Sequence, residues 1–198
     1  MIKVSVMYPH KEGARFDHAY QPVCHIYCDS IEAFQAGMGP HMKELGGMPS
    51  TSLIPMIRIR ECTAADFDNV VALLRQLWPG TPLDLGAVRS TFERALASPC
   101  QLYLCAESDQ KVVGFGSLTT KSTLWNEALV GYVDEMVVDE GHRGKGIGSE
   151  ILDHLTRWAR DQGCNCIELD SAFHRKETHV FYERHGFQSY AYLYSKSL

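Results

Sequence analysis

Between residues 143 and 149 the chain reads Arg143-Gly144-Lys145-Gly146-Ile147-Gly148-Ser149, three glycines at alternate positions with two cations among them. Such a run grips an anion when a helix starts directly after it. The first-turn amides have no intrahelical acceptor, and the aligned peptide dipoles leave partial positive charge at that end. Glycines allow close approach of the backbone, Arg143 and Lys145 add charge, and the chemistry indicated is diphosphate binding. Two familiar phosphate loops fail on spacing: no Gly-Lys-Ser/Thr follows a four-residue spacer, and Arg143 stands where a dinucleotide turn needs its first glycine. A structural turn with incidental glycines is the competing explanation.

The elements around the loop are written in the hydrophobic pattern. Met136-Val137-Val138 is an apolar strand leading in. Ile147, Ile151, Leu152, Leu155, Trp158 and Ala159 recur at three- and four-residue steps, with Glu150, Asp153, Arg157 and Arg160 on the other face, which predicts an amphipathic helix stopped at Gly163. From Ile57 onward the pattern predicts a strand, then a helix opened by Thr63-x-x-Asp66 with the stripe Phe67, Val70, Val71, Leu74 and Leu77. A second helix through Leu85, Val88, Phe92 and Leu96 follows, then strands 102–107 and 112–118 joined as a hairpin, and a strand 129–138. After the loop helix come strand 166–170, a helix ending at Gly186, and a last strand 187–194.

The spacing Arg143-x-x-Gly146-x-Gly148 after Met136-Val137-Val138 resembles the acyl-coenzyme A loop of the GNAT superfamily of N-acetyltransferases, and the element order over residues 57–198 is similar to that fold. The resemblance implies an α/β (α+β) fold, a mixed central sheet flanked by helices, with acetyl-CoA as cosubstrate. It implies that the backbone of Met136 and Val138 holds the pantetheine and that amides of Arg143, Gly144, Lys145, Gly146, Ile147, Gly148 and Ser149 hold the diphosphate, while the side chains of Val137 and Ile147 pack. A second likeness lies in Arg175 to Phe187, which carries Phe181-Tyr182-Glu183-x-x-Gly186-Phe187. In many relatives the tyrosine at the Tyr182 position meets the cofactor sulfur, and a phenol with an ordinary pKa of about 10 can protonate a departing thiolate. Phe181 is expected in the core and Gly186 as the helix C-cap.

Where the family often has Asn and Ala, this chain has Arg175 and Thr178; Arg175 is expected to reach a phosphate or to be solvated. An attacking amine must first lose a proton. Glu135 is the candidate relay, since simple strand alternation turns Asp134 to the opposite face. Tyr132 stands where some relatives carry a glutamate base, so a water chain is the alternative to direct transfer. His142 is given no catalytic role, and His179 is expected on a helix surface.

The 198 residues are 45% apolar and 22% charged, enough for one ordinary domain plus a small piece folding in water. A formal charge of -5 gives no basic face for nucleic acid. No apolar run is long enough to span a bilayer, and the expected compartment is the cytoplasm. The seven cysteines are then reduced thiols, and Cys24-x-x-x-Cys28 and Cys164-x-Cys166 lack zinc-site spacing, so no metal is expected.

Residues 1–56 form a separate piece. Met1 to Pro9, Lys11-Glu12-Gly13, Asp17-His18, His25 to Phe34 and Gly39-Pro40-His41 resemble the small dimeric, ferredoxin-like EthD family. The pattern jumps between Tyr20 and Pro22 from the family's first part to its last, so about half of that domain is missing. The residue pattern predicts strands over 1–9 and 22–28, a helix capped by Asp29 or Ser30 through Ile31, Phe34, Met38, Met42 and Leu45, and Pro49 to Ser52 as linker, and the resemblance makes this a partial β-β-α appendage. Such a piece needs cover for its strand edges, which predicts docking and a homodimer. His18, His25 and His41 are then scaffold.

The expected activity is acetyl transfer from acetyl-CoA to a primary amine of a small molecule. Glu168 to Arg175 and the tail Tyr192 to Leu198 are more similar to aminoalkylphosphonate and small-amine acetyltransferases than to histone-type enzymes. Trp125, Asn126 and Glu127 are expected near the acceptor. A protein or peptide amine, a non-catalytic acyl-CoA sensor, and EthD-like chemistry in the first piece are the alternatives.

Overall fold

The computed structural model describes residues 2–7, 24–28, 48–50 and 57–197. The chain divides into two units, Met1–Ile57 and Arg58–Leu198. In the first, β1 (Ile2–Met7), β2 (Cys24–Cys28) and β3 (Met48–Ser50) make an antiparallel sheet in the order β2-β1-β3, with Val4 opposite Ile26 and Val6 opposite Pro49. Pro49 and Ser50, expected as linker, are therefore strand. The expected helix through Ile31 and Leu45, and most of the EthD-like motifs, lie outside the described residues.

The second unit runs β4 (Arg58–Glu61), α1 (Phe67–Leu77), α2 (Leu85–Leu96), β5 (Gln101–Ser108), β6 (Lys111–Thr123), β7 (Ala128–Val138), α3 (Ile147–Asp161), β8 (Cys164–Leu169) and α4 (Lys176–Arg184). The sheet order is β4-β5-β6-β7-β8, antiparallel except for the parallel pair β7/β8. Asp109 and Gln110 turn the β5/β6 hairpin with φ of 49° and 63°, the left-handed conformation that a two-residue turn requires.

The start of α1 is fixed by one buried carboxylate. Thr63 donates from its amide (2.8 Å) and its hydroxyl (2.9 Å) to Asp66, and Arg60 adds two bonds of 2.8 Å. Arg60 also reaches Glu107 at 2.8 Å, tying edge strand β4 to both neighbours. The guanidinium holds the Asp66 carboxyl well below the usual carboxylate range. One face of the sheet is then covered by α1 and α2. Phe67, Phe92, Tyr103 and Phe115 pack there in a chain of ring contacts 5.4 to 5.7 Å apart.

The other face belongs to α3, whose Ile147, Ile151, Leu152, Leu155 and Ala159 are at most 1% exposed. The helix sits close because β6 presents two glycines, Gly114 and Gly116, under Ile147, Ile151 and Leu155. A Cβ on Gly116 would lie 2.4 Å from Ile151 Cγ2. Packing on Gly116 thus fixes where α3 begins, and with it the glycine loop.

The last expected strand is corrected: residues 187–194 form none, and Tyr190, Tyr192, Leu193 and Tyr194 are 67–89% exposed. Their aromatic content and alternation favour extended backbone. A strand also needs a hydrogen-bonded neighbour, and periodicity does not supply one.

Candidate active site

The parallel ladder between β7 and β8 runs from Leu129 opposite Cys164 to Val133 opposite Leu169, and stops. β7 continues to Val138 without that partner, so the backbone of residues 134–138 faces a gap. The gap opens into a cavity of about 740 Å³ bounded by the glycine loop, the start of α3, the segment after β8, and α4.

At one end lies the loop. Gly144 and Gly146 have φ of 74° and 82°, and Gly146 is the N-cap of α3. A Cβ at either would meet no neighbour, so glycine serves backbone conformation there rather than space. Met136, Val138, Arg143, Gly144, Gly146, Gly148 and Ser149 line the cavity. Val137 and Ile147 border it too, yet they are 5% and 1% exposed and pack into the interior. Arg143 Nε donates to Val138 O at 3.0 Å, and Lys145 Nζ to Gly141 O at 3.0 Å, so both cations fold back on loop carbonyls. Ser149 Oγ is 3.0 Å from His185 Nε2.

At the other end β7 bulges. Gly116 pairs with Met136 and Leu118 with Val133, leaving Ser117 opposite both Asp134 and Glu135. The extra residue overturns the expected alternation. Glu135 accepts from the Ser117 hydroxyl and Asp134 from Thr119 Oγ1 at 2.7 Å, and Ser117 and Thr119 share a face. Both acids point to that face, the one that carries α1 and α2 further along. Burial pushes the Glu135 carboxyl up, against the Ser117 hydrogen bond, and the charge of Asp134 pushes the same way. Burial also raises Asp134. Glu135 additionally borders a smaller, mostly apolar cavity of about 260 Å³ with Phe67, Trp78 and Tyr103.

Tyr182 lines the main cavity and is only 9% exposed, its ring between Phe181 and Phe187 at 5.2 and 5.5 Å. Burial pushes its phenol up to about 12. Phe181, expected in the core, is instead half-buried on the cavity wall, where its ring covers Gly148. In this short helix the tyrosine takes the inner position. Gly186 ends it with φ of 85°, as expected of a C-cap.

Arg175 is neither solvated nor extended toward the loop: it donates to Leu77 O at 2.6 Å, tying the start of α4 to the end of α1. Tyr132 donates to Asp170 at 2.5 Å. His142 is 2.7 Å from Asp139, which Gln76 also holds at 3.0 Å, and His179 contacts Ala172 O at 3.0 Å. Trp125 is 93% exposed at the β6/β7 turn, and Trp125, Asn126 and Glu127 do not border the cavity. Cys62 and Cys105 are buried, Cys164 and Cys166 half-buried, and Cys100 exposed. Among the described residues no group of three or more metal-ligating side chains comes together.

Sequence reasoning missed Ser117 and Asp170. A lone hydroxyl residue among the apolar residues of strand 112–118 was the available signal for the first, and the structure leaves Ser117 0% exposed.

The Acetyltransferase (GNAT) family profile matches residues 67–187. An aminoalkylphosphonate N-acetyltransferase of Salmonella typhimurium is 32% identical over 146 residues, 74% of this chain and 94% of the relative. Glucosamine 6-phosphate N-acetyltransferase 1 of Oryza sativa subsp. japonica is 33% identical over 129 residues, 60% of this chain and 78% of the relative. The structure of aminoglycoside N-acetyltransferase AAC(6')-Iy in complex with CoA superposes with a TM-score of 0.62 at 19% identity, covering 73% of this chain and 97% of that one. By profile, by relatives and by the split strand above a glycine loop, the chain belongs to the GNAT family of acetyltransferases.

Proposed function

We propose that the second unit is an N-acetyltransferase that moves an acetyl group from acetyl-CoA to the primary amine of a small molecule. One observation carries this: a glycine-capped helix start, an unpaired strand edge, a half-buried carboxylate and a buried phenol all border the same cavity. The residues present fit the cosubstrate. Backbone amides from Arg143 to Ser149 would hold its diphosphate, with Gly144 and Gly146 keeping the chain in the left-handed region that directs amides outward. The exposed edge at Met136 and Val138 would hold its amide-bearing arm, and Arg143 would then leave Val138 O for a phosphate.

Bound acetyl-CoA supplies an activated thioester whose sulfur departs as a thiolate. Tyr182 keeps its proton on Oη at neutral pH and is the donor to that sulfur. No described protein group accepts from this hydroxyl, which leaves it available. Glu135, with its carboxyl raised by burial, takes the proton that the entering ammonium must shed, directly or through water. Ser117 holds the carboxylate in place. The test is thiol release from acetyl-CoA across a panel of primary amines. Tyr182→Phe is expected to lower kcat about 100-fold or more while the affinity for coenzyme A stays within about threefold. No thiol release with any amine, despite coenzyme A binding, would favour an acyl-CoA sensor.

We infer further that residues 1–56 are a docking appendage, that residues 57–198 are the catalytic domain, and that the protein is a cytoplasmic homodimer. The sheet order β2-β1-β3 supports docking, since it has two edge strands. Among the described residues no helix is long and apolar enough to cross a membrane. Light scattering on the full chain and on a chain lacking residues 1–56 tests the pairing: dimer and monomer are expected.

A further inference from the structure

The rim of the cavity beyond Glu135 has a marked charge. Val133 and Leu169 are the last paired residues of β7 and β8, and the residues that follow them, Asp134 and Asp170, are both acids at the point where the strands part. Both line the cavity that holds Glu135 and Tyr182. Glu168, two residues before Asp170, does not line the cavity and is paired with Lys121.

The cation nearest this rim is already paired. Lys121 Nζ lies 3.3 Å from Glu168 and 4.2 Å above the Tyr132 ring, so its charge is offset on the spot. Arg175 and His174 also line the cavity; Arg175 donates to Leu77 O at the end of α1 and keeps its charge on the Tyr182 side, away from the rim of Asp134 and Asp170, and Arg143 belongs to the loop end. The smaller cavity beside Glu135 has no cationic side chain in its wall. Neutral partners do not offset the acids either, since Asp134 and Asp170 each receive one hydroxyl hydrogen bond, from Thr119 and Tyr132. Next to Asp170, half-buried Ser171 lines the same cavity, and its hydroxyl has no hydrogen-bond partner among the described residues.

A phosphorylated or phosphonylated acceptor needs a cationic clamp, and this rim offers carboxylates instead. We infer that the acceptor is an amine bearing a second positive charge, with one ammonium at Glu135 for reaction and the other held between Asp134 and Asp170. This inference rests on the acetyltransferase reading and narrows its substrate class. It separates the chain from the two relatives above whose names specify a phosphonate or a phosphate.

Three amines with one spacer test it: 1,3-diaminopropane, propylamine and 3-aminopropylphosphonate. Expected kcat/KM falls in that order by about tenfold per step at low salt, and the differences shrink at about 0.3 M salt. Asp170→Asn is expected to narrow the diamine to propylamine ratio at least about threefold. Calorimetric titration of the diamine and the phosphonate in the presence of coenzyme A reads the same preference without turnover. Phosphonate binding or turnover equal to or better than the diamine would overturn the inference. Failure of coenzyme A itself to bind would instead overturn the acetyltransferase reading.

Discussion

A single methyl group at Gly116 should loosen the fold and the cofactor site together. The Cβ added by Gly116→Ala would sit 2.4 Å from Ile151 Cγ2 and 3.3 Å from Leu155 Cδ1. Carbon atoms rest at about 3.5 Å or more, so the helix must retreat by about 1 Å. Ile151 cannot simply rotate away, because a β-branched side chain in a helix has essentially one χ1 rotamer, and at 0% exposure it has no empty space to enter. Overpacking of this size costs about 2–3 kcal/mol. The same retreat carries the N-terminus of α3 and the loop amides off their positions, and coenzyme A should bind about tenfold more weakly. Urea denaturation gives the stability and calorimetry the affinity. Ile151→Ala removes the clashing atom, so the double variant should be more stable than the sum of the single losses by more than about 1 kcal/mol. A Gly116→Ala protein within about 0.5 kcal/mol of the parent, or strictly additive losses, would refute the claim that this contact sets the helix position.

Further outcomes follow from the same geometry. Asp66→Ala should cost about 3 kcal/mol in urea, because Arg60 loses a bidentate partner and the Thr63 amide its acceptor. The Asp66 carboxyl lies below its unfolded value, so its contribution is present above about pH 4 and is lost as pH falls toward the folded value; the deficit of the Ala variant should shrink in acid. Glu135 has the opposite sign. Its carboxyl is raised on folding, so its favourable contribution is complete below about pH 4 and disappears as pH rises through the folded value. Glu135→Gln should therefore melt about 3 °C higher than the parent at pH 8 and no higher at pH 4, while kcat/KM falls. The acid limb of the kcat/KM profile should lie above the ordinary carboxylate range, and Glu135→Gln should remove it.

The order of helices and strands in the second unit was legible because each element buries one face, and that leaves a period in the sequence. Ile147 to Ala159 and Phe67 to Leu74 read as stripes and pack as stripes. The glycine loop was legible because backbone conformation demanded a residue type at 144 and 146. What escaped depended on partners distant in the chain. The bulge that turns Asp134 and Glu135 to one face is a mismatch between β6 and β7, and neither strand shows it alone. The aromatic alternation at Tyr190, Tyr192 and Tyr194 promised a strand that finds no ladder. Phe181 and Tyr182 are adjacent aromatics on a short helix, and only the packing of α4 decides which one is buried.

In the proposed reaction, backbone amides at residues 143–149 would bind a diphosphate and so aim an acetyl group past Glu135 and Tyr182. Calorimetric titration with coenzyme A and with pantetheine, which lacks the diphosphate, tests this most directly. Coenzyme A should bind with a Kd of about 1–100 μM and pantetheine about 100-fold more weakly, a difference of about 2.7 kcal/mol. Equal affinities for the two, or no binding of coenzyme A up to about 1 mM, would contradict it.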